Sequence, residues 1–111
     1  MPEPTLTAVF GDNATQDATT ITITKADLTG VGLIAASENT AESLFTAIVL
    51  KAQTALTEDN RDANIDQSLA ITNGFSPSIA TRNDIFYLRN TISVEADREL
   101  TGADVINPNN Y

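Results

Sequence analysis

The clearest alternation of apolar and polar positions runs over residues 85–95. Phe86, Leu88, Ile92 and Val94 fall on one face, with Asn90 as a polar intruder, and Tyr87, Arg89, Thr91, Ser93 and Glu95 fall on the other. A period of two sustained over this length predicts one long strand, with Tyr87 and Arg89 exposed on its polar face. Residues 19–24 carry a second such signal, Ile21 and Ile23 against threonines at 20, 22 and 24. β-branched residues suit a pleated surface, so this too predicts a strand. Its expected partner is the run 31–36, reached through a corner at 25–28 able to form one helical turn and through Gly30 and Gly32. A further strand is expected over 67–72, presenting Leu69 and Ile71 together. Residues 73–83 contain Gly74, Ser76, Pro77 and Ser78, and read as a long hairpin tip carrying Phe75 and Ile79.

The period changes to that of a helix over residues 40–56. Asn39, with Glu42 three residues later, matches a capping box. At 100° per residue Leu44, Phe45, Ile48, Val49, Ala52, Ala55 and Leu56 form one stripe expected to face the sheet. Leu50 lies off that stripe among Ser43, Thr46 and Thr54, where a single chain offers it no cover. Leu6, Val9 and Phe10 predict a short helical turn near the start. Residues 57–64 read as a polar loop, and 97–111 lack any period. The expected fold is α+β. A small antiparallel sheet of about four strands packs against one main helix in a single domain, 1–111, with terminal arms over about 1–17 and 97–111.

The 111 residues include 6 basic and 15 acidic side chains, a formal charge of −9, with no His and no Cys. Without imidazole or thiol there is no Ser-His-Asp or Cys-His nucleophile pair, no Cys/His zinc site and no disulfide. The negative charge and the scattered cations argue against direct nucleic-acid contact. No apolar run approaches the roughly 20 residues of a membrane helix. The opening Met1-Pro2-Glu3-Pro4 lacks the cationic and apolar regions of a leader, so a product made in the cytoplasm is expected.

Few groups are left that could carry chemistry. Asp62, Asn64 and Asp66 alternate as the first ligands of a calcium loop do, but Gln67 and Asn73 stand where that loop needs Gly and Glu. A solvated connector, its acids Asp59, Asp62 and Asp66 sharing Arg61, is the plainer reading. Glu95, Asp97 and Glu99 alternate, yet paired-carboxylate catalysis needs a cleft that raises one pKa. Gly30-Val31-Gly32 lacks the third glycine and the lysine of a phosphate loop. No catalytic, metal or cofactor-binding residue is therefore assigned, and no enzyme activity or cofactor is expected. Apolar and aromatic residues placed where a lone domain leaves them open point instead to protein contact: Leu50, Phe75, Ile79, Tyr87 and Arg89, with Pro108 and Tyr111 of the tail.

Thr5-Leu6, Phe10-Gly11, Ala14-Thr15-Gln16, Lys25-Ala26-Asp27-Leu28, Asn39-Thr40-Ala41-Glu42-Ser43-Leu44 and the closing Asn107-Pro108-Asn109-Asn110-Tyr111 together give the chain a resemblance. It resembles small structural proteins of tailed bacteriophages and cyanobacterial prophages. Head decoration or cement proteins are similar in size and in their Ala/Thr-rich, Cys-free composition. The resemblance implies a virion protein, acting as a homo-oligomer, that binds the outside of the head at junctions of the major capsid protein and stabilises it. The main helix departs from some cement proteins and keeps a neck, tail or baseplate subunit as the alternative. A cytoplasmic protein-binding module is a further alternative, and a carboxylate hydrolase a more remote one. No membrane partner is expected.

Overall fold

A computed structural model of the chain describes residues 2–74, 76–99 and 106–111. Its longest element is helix α2, Ala41–Ala55, preceded by the short α1, Leu6–Phe10, and followed by α3, Glu58–Ala63. Each is opened by a threonine at the N-cap. Thr5 Oγ1 accepts from Ala8 N, Thr40 Oγ1 from Ser43 N and Thr57 Oγ1 from Asn60 N, each at 3.1 Å. The cap of α2 is thus one residue later than the capping box predicts. Asn39 instead closes the preceding loop, its Oδ1 accepting from Ala36 N and its Nδ2 donating to Ile34 O.

The α+β class expected from the sequence is what the structure has, with one main helix, antiparallel strands and extended terminal segments. The strands make three antiparallel pairs rather than one sheet of about four. β1, Thr15–Gln16, pairs with β2, Ile21–Thr22. β2 therefore takes its partner from upstream; residues 31–36 form no strand, and 25–31 wind into a 3-10 helix, Lys25–Val31. β3, Leu69–Asn73, pairs with β6, Ile92–Ala96, and between them lies the pair β4, Ser78–Arg82, with β5, Ile85–Arg89. The expected strand 85–95 is in fact two strands, parted at 90–91. The expected tip at 73–83 is mostly strand, and the true turn is Asn83-Asp84. Both residues have positive φ, 52° and 62°, the geometry of a two-residue hairpin turn that matches strand twist.

The core consists of two small clusters set along α2. Leu28, Leu33 and Ala47 form the first, with Ile23, Val31, Leu44 and Ile48 against it. Ala52, Leu56 and Ile71 form the second, joined by Val9 of α1, Val49 and Leu69. The helix is therefore covered by α1, the 3-10 helix and β3 rather than by a broad sheet. Phe45, expected in the buried stripe, is 69% exposed: among the described residues α2 is packed by α1, the 3-10 helix and β3, and that flank is left open.

Close packing in the first lobe depends on Gly11. Its φ is +119°, and a Cβ there would stand 2.5 Å from Asp27 Cβ. The Asp27 carboxylate accepts from Asn13 N and Asn13 Nδ2, both at 2.9 Å, which ties the turn after α1 to the 3-10 helix. In the second lobe the buried Asn64 and Gln67 fix the way into β3. Gln67 Nε2 donates to the carbonyls of Thr57 and Leu69, and Asn64 Nδ2 donates to the Pro2 carbonyl. The N-terminal segment is thus anchored on the body.

Candidate functional site: an exposed β-ribbon

β3, β4, β5 and β6 make one long two-stranded ribbon with an irregular joint. At the joint the pairing breaks between Asn73 opposite Ile92 and Ser78 opposite Arg89, and Gly74 N donates to Thr91 O at 2.7 Å. The inner half is built into the body. Ala70 is 0% exposed, Ile71 N donates to the Leu56 carbonyl at the end of α2, and α3 lies against β3.

Among the described residues no second layer covers the outer half. Its register places Ile79 opposite Leu88 and Thr81 opposite Phe86 on one face, where Ile79, Phe86 and Leu88 are 75%, 78% and 69% exposed. The other face carries Ser78, Ala80 and Arg82 against Arg89, Tyr87 and Ile85. There the Arg82 guanidinium sits 4.3 Å from the centre of the Tyr87 ring, a cation–π contact worth about 0.5–1 kcal/mol when exposed. Among the described residues, β4 and β5 make their substantial contacts with each other alone. The radius of gyration is 16.3 Å, against about 13 Å for a compact domain of this length.

The interface residues named from the sequence therefore divide. Ile79, Tyr87 and Arg89 meet on the outer hairpin, Ile79 on one face and the other two on the opposite one. Phe75 lies outside the described residues. Leu50 is half-buried and borders a depression of about 310 Å³ with Val31, Leu33 and Ala47. Pro108 and Tyr111 reach an apolar groove of about 620 Å³, lined also by Val9, Leu56, Leu69 and Val94. Phe86 and Leu88 were missed as site residues. Their alternation with Tyr87 and Arg89 marks them as apolar, but alternation cannot say whether a layer covers them.

The polar candidates hold the body together. Arg61 of α3 reaches Glu95 Oε1 of β6 at 2.9 Å, with Asp62 and Asp97 each at 3.7 Å. The hydrogen bond to Glu95, then the nearby carboxylate charges, push the guanidinium pKa above its ordinary value. Glu95, Asp97 and Glu99 are exposed. Glu95 borders a polar hollow of about 570 Å³ with Thr72, Ser76, Ser78, Thr91 and Ser93, and among the described residues no second carboxylate lines it. The expected polar loop at 57–64 is instead mostly helix α3. Asn64 Oδ1 accepts from Asp66 N, an Asx turn within the chain. Among the described residues no three acidic side chains gather as a metal site, and no helix is long and apolar enough to cross a membrane. No protein-family model, no curated protein and no solved structure matches the chain.

Proposed function

We propose that the chain is a non-enzymatic virion subunit, a decoration or cement protein that binds the outside of a phage head between major capsid subunits and strengthens the shell. The observation that supports this reading is the outer hairpin. It places Ile79, Phe86 and Leu88 side by side in solvent on a two-stranded ribbon. An isolated hairpin is marginal in water, and covering its apolar face contributes about 25 cal/mol per Å². In a shell, symmetry repeats each such contact many times, so weak individual contacts suffice.

The acidic body fits the same role, since a charge of −9 keeps the unassembled protein soluble. The test is to add purified chain to undecorated capsid shells of the phage that encodes it and to follow the temperature at which they break. Saturating protein raises that temperature, and Phe86→Ser with Leu88→Ser removes the gain. Shells that break at the same temperature with and without the wild-type chain would overturn the proposal.

A further inference from the structure

We infer that the outer hairpin docks in the apolar groove of a second copy of this chain. The inference rests on the reading of the hairpin as an assembly arm and names its first partner. Hairpin and groove are both apolar surfaces left open in the single chain, but they lie at opposite ends of the ribbon. Phe86 and Val94 are eight residues apart on the strands β5 and β6, about 27 Å at strand rise. Among the described residues β4 and β5 make their substantial contacts only with each other, and no residue of the hairpin lines the groove of its own chain, so the contact forms between copies.

Two properties favour a second copy as the occupant. The first is charge. Residues 78–89 hold Arg82, Arg89 and Asp84, a segment charge of +1, whereas the remaining residues hold four cations and fourteen acids, −10. The tip is drawn to the body of another copy and body repels body, which selects a tip-to-body approach. Glu3 is the charged residue among those lining the groove.

The second is shape. The groove offers about 620 Å³ among Val9, Leu56, Leu69, Val94 and Tyr111, within the roughly 300–1,000 Å³ that holds a few large apolar groups. Phe86 and Leu88 project from neighbouring positions of one face and supply that content. Because tip and groove are different patches, the contact is heterologous. It closes as a pair when two copies exchange hairpins and as a ring when each passes its hairpin on.

The absence of cysteine makes the test direct. Leu88→Cys and Val94→Cys alter exposed positions, so both variants keep the fold. Mixed and mildly oxidised, they give a disulfide-linked heterodimer as the main product, and neither variant alone does. Sedimentation of the wild-type chain is expected to give a defined oligomer, and Phe86→Ser, on the docking face, to weaken it about tenfold or more. A monomer at every concentration, or Leu88→Cys chains that link to one another as readily as to Val94→Cys chains, would overturn the inference. A monomer that still protects capsid shells would overturn this inference and leave the proposed function intact. An oligomer that leaves shells unprotected would do the reverse.

Discussion

The two halves of the ribbon share an architecture and differ in their surroundings. β3 with β6 and β4 with β5 are antiparallel pairs of five-residue strands, each with apolar residues recurring at every second position. In the inner half Ala70 and Ile71 are buried because α3 and the end of α2 lie over them; in the outer half all but Ala80 are exposed. Alternation thus specifies a strand and its faces, while burial is decided by whether the chain has enough mass to lay a second element over them. This chain spends its helices on the inner half. The outer half keeps Ile79, Phe86 and Leu88 exposed in the single chain.

The sharpest way to break that contrast is a pair of truncations. Ile71→Ala removes a buried side chain from the second cluster and should cost about 2–4 kcal/mol in urea unfolding. Leu88→Ala, at an exposed site, should change monomer stability by less than about 0.5 kcal/mol while reducing self-association. Equal losses from the two would mean that the outer hairpin is packed on the body. Hydrogen exchange sharpens the same point, with amides of β4 and β5 exchanging well before those of β3 and β6.

Next in size is Gln67→Leu. The substitution keeps bulk at a buried position but withdraws the donor shared by the Thr57 and Leu69 carbonyls. Losing the bond to the Leu69 carbonyl, while Thr57 O keeps its bond from Arg61 N, should cost about 1–3 kcal/mol, read again by urea unfolding. The loss belongs to the inner half, so cross-strand signals of the outer hairpin should persist in the native state of the variant. Their disappearance would show that the two halves fold as one unit.

How much of this was legible in the sequence depends on which signals are local. The main helix, the β3 strand and the short α1 all announce themselves by spacing, and each lies within a residue or two of its expected place. α3 was unreadable as a helix because Glu-Asp-Asn-Arg-Asp-Ala carries no apolar stripe. It is held by the Thr57 cap and by Arg61 reaching across to Glu95, contacts 4 and 34 residues apart in the chain respectively for Arg61 N with Thr57 O and for the ion pair. The break at 90–91 was hidden because alternation keeps its phase through it. The exposure of Phe45, Phe86 and Leu88 is a fact about missing neighbours, and no pattern along the chain records those.

A smaller effect tests how the outer hairpin holds its own shape. Asp84 sits at φ 62°, a left-handed conformation costing a non-glycine residue on the order of 1 kcal/mol. Asp84→Gly relieves that cost, offset in part by the extra chain entropy of glycine, for a net gain of about 0.5 kcal/mol. The gain should appear as stronger cross-strand contacts in β4 and β5 by NMR with no change in the inner half. If the inner half stabilises equally, the joint at Gly74 transmits folding between the two.

The third pair, β1 with β2, is also exposed but holds its turn differently. The Asp17 carboxylate accepts from Thr19 N and Thr20 N at 2.8 Å and from Thr19 Oγ1 at 3.1 Å. These bonds, the Thr19 backbone first, lower its pKa from 3.8 to about 2. A carboxyl group more acidic in the folded chain than in the unfolded one stabilises the fold fully above the unfolded value. That contribution fades as pH falls from near 3.8 through about 2. The group is open to solvent, so the effect is local and salt-sensitive. In an NMR titration the Thr19 and Thr20 amides should shift with a midpoint near 2, and Asp17→Asn should remove the transition. A midpoint at the ordinary carboxylate value would mean that the turn is not held by this carboxylate. The two hairpins, β1 with β2 and β4 with β5, would then not differ in how a side chain fixes the turn.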